Sequence, residues 1–96
     1  MRIVAYNRLV RYWRRYPDAE KPLRRRYKLA RKARWQNFAD VRDVFRSVDI
    51  VEDRLIFYIS GNKYRLMVYV DFKRHGLLIR FFGTHAESDR IDVRTY

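Results

Sequence analysis

Apolar residues recur at helical spacing in the first third of the chain and at alternate positions from residue 54 onward. Met1–Tyr6 reads as a short opening strand carrying Ile3, Val4 and Tyr6, with Asn7 as an N-cap after it. From Arg8 to Tyr16 the residues Leu9, Tyr12, Trp13 and Tyr16 line one helical face, and Pro17 stops the helix. Asp18 reads as the next N-cap, opening a helix over Ala19–Ala33 in which Pro22 falls within the first turn. Its inward line is Leu23, Tyr27, Ala30 and Ala33 or Arg34, so a tight Pro-Asp turn joins two antiparallel helices. Trp35–Phe45 is a connector, within which Asp40–Phe45 suits a short helix with Val41, Val44 and Phe45 facing inward.

Beyond it the period becomes two. Arg54–Ser60, Lys63–Asp71 and Leu77–Phe82 read as strands, separated by turns at Gly61-Asn62 and Lys73–Gly76. Arg90–Thr95 is expected to add a fourth strand or to lie across an edge. The pattern is β-α-α-β-β-β: an α+β domain spanning 1–96, with an antiparallel sheet of about four strands and two N-terminal helices on one face. The first hairpin sets Tyr58 opposite Arg65, Phe57 opposite Leu66 and Ile56 opposite Met67; the second is expected to set Tyr69 opposite Arg80 and Val70 opposite Ile79. One face then collects Leu55, Phe57, Ile59, Tyr64, Leu66, Val68, Val70, Leu77, Ile79 and Phe81, which the helices must cover. The other collects Tyr58, Lys63, Arg65, Met67, Tyr69, Asp71, Arg80 and Phe82.

Charge sharpens this picture. Lys and Arg number 23 against 11 Asp and Glu, a net +12, and residues 1–34 hold thirteen of the cations and two of the acids. Lys21, Arg24, Arg25, Arg26, Lys28, Arg31, Lys32 and Arg34 crowd the second helix, and such a block calls for an anionic partner. Nucleic acid, an acidic protein and an anionic membrane all meet that need. Nucleic acid is favoured, because cations interleaved with rings suit single-stranded RNA and the helices keep no apolar stripe free for a membrane. On these grounds Tyr58, Tyr69, Arg24, Arg25, Lys28, Arg31 and Lys32 are the candidate RNA-binding residues. The 48% hydrophobic and 17% aromatic content excludes a disordered tail, and no run approaches the ~20 apolar residues of a membrane span. There is no cysteine, hence no disulfide framework or thiolate zinc site, and a soluble cytoplasmic protein is the expectation.

Two short motifs carry a family likeness. Gly61-Asn-Lys-Tyr-Arg-Leu66 and Arg80-Phe-Phe-Gly-Thr-His-Ala-Glu87 resemble the HigB toxins of the RelE-like superfamily. Arg2-Ile3, Tyr16-Pro-Asp-Ala-Glu20, Ala33-Arg-Trp35, Ala39-Asp-Val41, Asp49-Ile50 and Asp89-Arg-Ile-Asp-Val93 are similar too. The resemblance implies a RelE-like fold and the toxin of a type II toxin–antitoxin system. Its activity would be that of an endoribonuclease that cuts mRNA on the ribosome without a metal or other cofactor. Its partners would be a HigA-like helix-turn-helix antitoxin, mRNA and the ribosome, with operator DNA reached only through the antitoxin complex. In the family pattern a Tyr commonly follows the Gly-Thr-His-Ala-Glu run, where this chain has Ser88.

Attack of a 2′-OH on the adjacent phosphate needs a proton carrier and cations on the phosphorane. His85, whose side-chain type titrates near neutrality, is the candidate acid or base; Arg65 and Arg80 are the phosphate clamp. Lys63 supports them with charge, or moves a proton if cationic neighbours lower its pKa. Thr84-His-Ala-Glu87 also reads as a capping box, His75 as an exposed turn residue, and Asp89 with Asp92 as solvated or ion-paired charge. Two other functions stay open: an RNA- or ribosome-binding module that cuts nothing, and a toxin of the same fold that poisons a protein such as gyrase.

Overall fold

Alternation of large apolar side chains builds the sheet, and it leaves one side that only helices can cover. The computed structural model describes residues 1–96. The elements are β1 (Arg2–Val4), α1 (Tyr6–Arg15), a 3₁₀ turn (Pro17–Ala19), α2 (Glu20–Lys32), α3 (Phe38–Val44), β2 (Val48–Val51), β3 (Arg54–Ile59), β4 (Tyr64–Asp71), β5 (Gly76–Thr84) and α4 (His85–Ser88). The sheet has five strands in the order β1-β5-β4-β3-β2; β1 runs parallel to β5 and every other pair is antiparallel. The fold is therefore α+β as expected, with a mixed sheet of five strands in place of four antiparallel ones.

Leu9 and Trp13 of α1 and Leu23 and Ala30 of α2 pack on Leu55, Phe57, Ile59, Leu66, Val68, Val70, Leu77 and Ile79. Leu23, Val41, Leu55 and Ile59 are fully enclosed, and no polar residue is buried. Pro22 sits in the first turn of α2 without interrupting it. At the other end of α2 the Met1 ammonium donates to the carbonyls of Ala30 and Arg31 at 3.1 and 3.2 Å, and also to Ala33. A positive group there satisfies carbonyls that the helix leaves free.

Several local expectations are corrected. Asn7 is not an N-cap: Ala5, in the left-handed region at φ 69°, makes the corner and α1 starts at Tyr6. Asp18 caps nothing, because Pro17 opens the 3₁₀ turn instead and the Asp18 carboxylate reaches across to β4. Val44 is 44% exposed, since α3 turns only Val41 inward and Phe45 follows beyond its end. The β2 strand was unforeseen. Its hairpin to β3 turns on Glu52 at φ 57°, a left-handed position without the Gly or Asn that signals such a turn. Residues 90–95 form turns and no strand.

The β3/β4 register is as read from the sequence, with Tyr58 opposite Arg65. The β4/β5 register is not. The turn occupies Phe72–His75, closed by the left-handed His75 and by Asp71 Oδ1 accepting from Arg74 N, so Val70 pairs with Leu77 and Tyr69 with Leu78. A bulge then inserts Arg80 between the Val68–Ile79 and Met67–Phe81 pairs. The extra residue swaps the next two rings: Phe82 enters the core at 6% exposure and Phe81 leaves it. Phe82 stacks on Tyr12 at 5.4 Å and packs tilted against Tyr64 at 5.1 Å, while Phe81 meets Tyr96 edge-on.

These placements separate two apolar residues that the sequence treats alike. Leu23→Ala is expected to cost about 2–5 kcal/mol through a cavity, whereas Val44→Ala stays within about 0.5 kcal/mol. Urea unfolding of both variants checks this.

Candidate active site

Gly83 begins the site. A Cβ there would lie 2.8 Å from Phe81 Cζ and 3.1 Å from Glu87 Cβ, so those two side chains fill the space a larger residue would need. Thr84 then caps α4: its side chain accepts from Glu87 N at 3.2 Å, and Glu87 Oε1 accepts from Thr84 N at 3.0 Å. Glu87 Oε1 also accepts from the Tyr16 hydroxyl at 2.7 Å, which joins α4 to the end of α1. These bonds, the Thr84 N–H first and the Tyr16 hydroxyl second, hold the Glu87 carboxyl below the usual carboxylate range. The capping box is thus real, and it delivers His85 to the first position of α4.

Arg65 pairs with Gly83 across β4 and β5, one residue short of the cap. Its Nη2 lies 3.1 Å from His85 Nδ1, and its Nη1 lies 3.3 Å from Asp89 Oδ1. His85 Nε2 lies 3.1 Å from Asp89 Oδ2. Arg65 Nη2 is also 3.4 Å from Nε2, so the guanidinium lies against the imidazole and not on a single lone pair. A carboxylate only accepts, so Nε2 carries the hydrogen offered to Asp89. The Arg65 guanidinium lies over the Tyr58 ring at 5.2 Å, and the Tyr58 hydroxyl donates to Asp49 Oδ2 at 2.7 Å. That bond to Asp49, helped by burial, raises the Tyr58 pKa. The imidazole remains 44% exposed, open to a ligand.

The other candidates lie apart. Arg80 faces outward from the bulge, and its guanidinium donates to the main-chain oxygen of Tyr96, from Nε at 3.0 Å and from Nη2. It lines a separate groove with Arg8, Arg11, Tyr12, Thr95 and Tyr96. Lys63 Nζ pairs with Asp18 Oδ2 at 2.5 Å, and Tyr64 donates to Asp18 Oδ1 at 2.7 Å. Bonding to Asp18 raises the Lys63 pKa, the reverse of the lowering that proton transfer would need. Tyr69 is exposed, but it faces Leu78 and Arg54 across the strands, not Arg80. On α2, Arg25, Lys28, Arg31 and Lys32 are exposed and make no ion pair, whereas Arg24 pairs with Glu20 at 2.8 Å and lies over Trp13. Arg26 belongs to the framework, donating to the Tyr58 carbonyl.

Asp89 and Asp49 are the residues of this cluster that sequence reasoning did not place in it. The His85–Asp89 spacing of four residues on a short helix was the available signal. Asp92 is separate, accepting from Arg94 N.

The profile of the HigB toxins, described as the RelE-like toxic component of a toxin–antitoxin system, matches residues 19–91. The chain belongs to the HigB toxin family. No curated protein matches it. As a HigB-family chain it is the toxin of a toxin–antitoxin pair, with an antitoxin as partner. The matched span takes in the Gly83–Glu87 turn, Arg65, His85 and Asp89. No helix is long and apolar enough to cross a membrane.

Two outcomes follow from how this HigB-family toxin holds its imidazole. Gly83→Ala is expected to cost about 1–3 kcal/mol by overpacking, read by urea unfolding. A carboxyl held below its ordinary pKa in the fold gives stability that is fully present above the unfolded pKa and lost as pH falls through the folded one. Glu87→Gln should therefore lower stability at neutral pH and flatten its decline below about pH 4, in denaturant titrations across pH.

Proposed function

We propose that this toxin is an endoribonuclease that cuts mRNA, with the ribosome as the place of action and a HigA-like helix-turn-helix antitoxin as its inhibitor. The observation that carries the reading is the Arg65–His85 contact of 3.1 Å, part-buried on the Arg65 side and with the imidazole 44% exposed. A scissile phosphate laid there meets a two-pronged donor and a proton carrier together. The RNA 2′-oxygen attacks phosphorus, the bond to the 5′-oxygen of the next nucleotide breaks, and a 2′,3′-cyclic phosphate and a free 5′-hydroxyl result. The 2′ proton passes to a base and the 5′-oxygen gains one; His85 serves one of these transfers. Arg65 stabilises the charge that builds on the phosphorane oxygens. Asp89 accepts from the imidazole Nε2–H until the phosphate takes Asp89's place beside Arg65. Exposed Arg25, Lys28, Arg31 and Lys32 supply backbone contacts without sequence reading.

A second reading, an RNA- or ribosome-binding module without cutting, is favoured by Arg80 and Lys63 being engaged with Tyr96 and Asp18. Induced expression followed by mapping of transcript ends separates the two, because a binding module arrests growth and leaves messages whole. Single-turnover cutting of a ribosome-bound message should fall about 10²–10⁴-fold in His85→Ala and about 10²–10³-fold in Arg65→Ala. A 2′-deoxy nucleotide at the cut position should block cleavage. Cutting at the wild-type rate by folded Arg65→Ala would defeat the assignment, and intact messages with arrested replication would favour a gyrase poison.

A further inference from the structure

At the end of the sheet away from His85, three separate parts of the chain bring cations to one open groove of about 610 Å³. Arg31, Lys32 and Arg34 come from the end of α2, Arg2 from β1, and Arg74 and His75 from the β4–β5 turn. Arg2, Arg31, Lys32, Arg34 and Arg74 are all exposed. Only Arg74 has a carboxylate in reach, Asp71 at 3.9 Å, so the positive charge here is almost wholly uncompensated. His75 and His85 flank the two ends of β5, whose nine residues at about 3.3 Å each set the two places roughly 30 Å apart. The longest dimension of the molecule is 32 Å.

We propose that this groove is a second RNA-binding site, which takes backbone phosphates of RNA distant from the bond held at His85. Arg forks match phosphate oxygens in pairs, and several such contacts give affinity without reading sequence. An acidic protein is the weaker match, because protein interfaces are anchored by buried aromatic and aliphatic residues, and Met1 and Ala33 are the groove's only apolar lining. The inference rests on the ribonuclease reading only for the identity of the polyanion. Its consequence is a dependence on RNA length: a strand confined to the His85 end gains nothing from the groove, and a strand that crosses the molecule occupies both places.

The test is binding, so it stands whether or not the protein cuts. Fluorescence anisotropy with uncleavable 2′-O-methyl RNA of about four and about twenty nucleotides compares wild type with the triple variant Arg2→Gln, Arg34→Gln, Arg74→Gln. A second triple variant, Arg14→Gln, Arg42→Gln, Arg46→Gln, removes equal charge from exposed positions elsewhere. Affinity for the long RNA is expected to fall on the order of tenfold in the first variant, its salt slope dropping by about two. Affinity for the short RNA and the behaviour of the second variant should match wild type, and circular dichroism should show all three proteins folded. Equal losses in the two triple variants, or no loss in the first, would overturn the proposal. So would polyglutamate binding as tightly as the long RNA in wild type and failing in the first variant, which would assign the groove to an acidic protein. Failure of His85→Ala to stop cutting would remove the nuclease mechanism and leave these binding results untouched.

Discussion

The Glu87 carboxylate accepts from the Thr84 main chain and the Tyr16 hydroxyl, and it thereby joins the last strand, the short helix after it and the corner between the first two helices. Everything at the candidate site hangs on that junction. A four-residue helix has too few internal hydrogen bonds to persist alone. Here it is fixed by its own cap, by an outside hydroxyl, and by His85 N donating to the Lys63 carbonyl at 3.2 Å. The imidazole is consequently positioned by the framework, with Arg65 against its ring and Asp89 facing Nε2.

The charge of this chain divides into cations that the fold consumes and cations that it leaves free. Arg8 donates to the Ile79 carbonyl, Arg26 to Pro22 and Tyr58, Lys63 to Asp18, and Arg80 to Tyr96. Each stands between elements far apart in sequence, where a long side chain bridges a gap that backbone bonding cannot. Among those that remain free, the densest groups lie along α2 and around its end and the β4–β5 turn, with others such as Arg14, Arg42 and Arg46 scattered elsewhere. The net +12 is thus a poor guide by itself to the surface a ligand meets.

Much of the fold was legible because its signals are local. The two helices with Pro17 between them, the β3/β4 pairing across Gly61-Asn62 and the Thr84–Glu87 cap all rest on residues close in sequence. The errors share a different origin. The Arg80 bulge, which reverses Phe81 and Phe82, is a mismatch between two strands and leaves no mark in either one alone. The left-handed Ala5 and Glu52 are residue types that rarely adopt that conformation, so neither corner carries a local signal. For the site, the contact between Arg65 and His85 could be anticipated from strand order. The separation of Arg80 and Lys63 could not, since it depends on the Tyr96 main-chain oxygen and the Asp18 carboxylate as acceptors far away in sequence.

The shortness of β1 has an effect on the rim of the sheet. It pairs only with Gly76–Leu78, so beyond Leu78 the side of β5 away from β4 has no strand beside it. The Arg8 guanidinium, 2.6 Å from the Ile79 carbonyl, takes the first acceptor left over. At the opposite rim β2 offers four residues, with exposed Asp49 among them. A short or charged edge is a poor template for added strands. Edge-to-edge polymerisation of this protein is therefore resisted at both margins by backbone architecture, apart from any mutual repulsion between molecules.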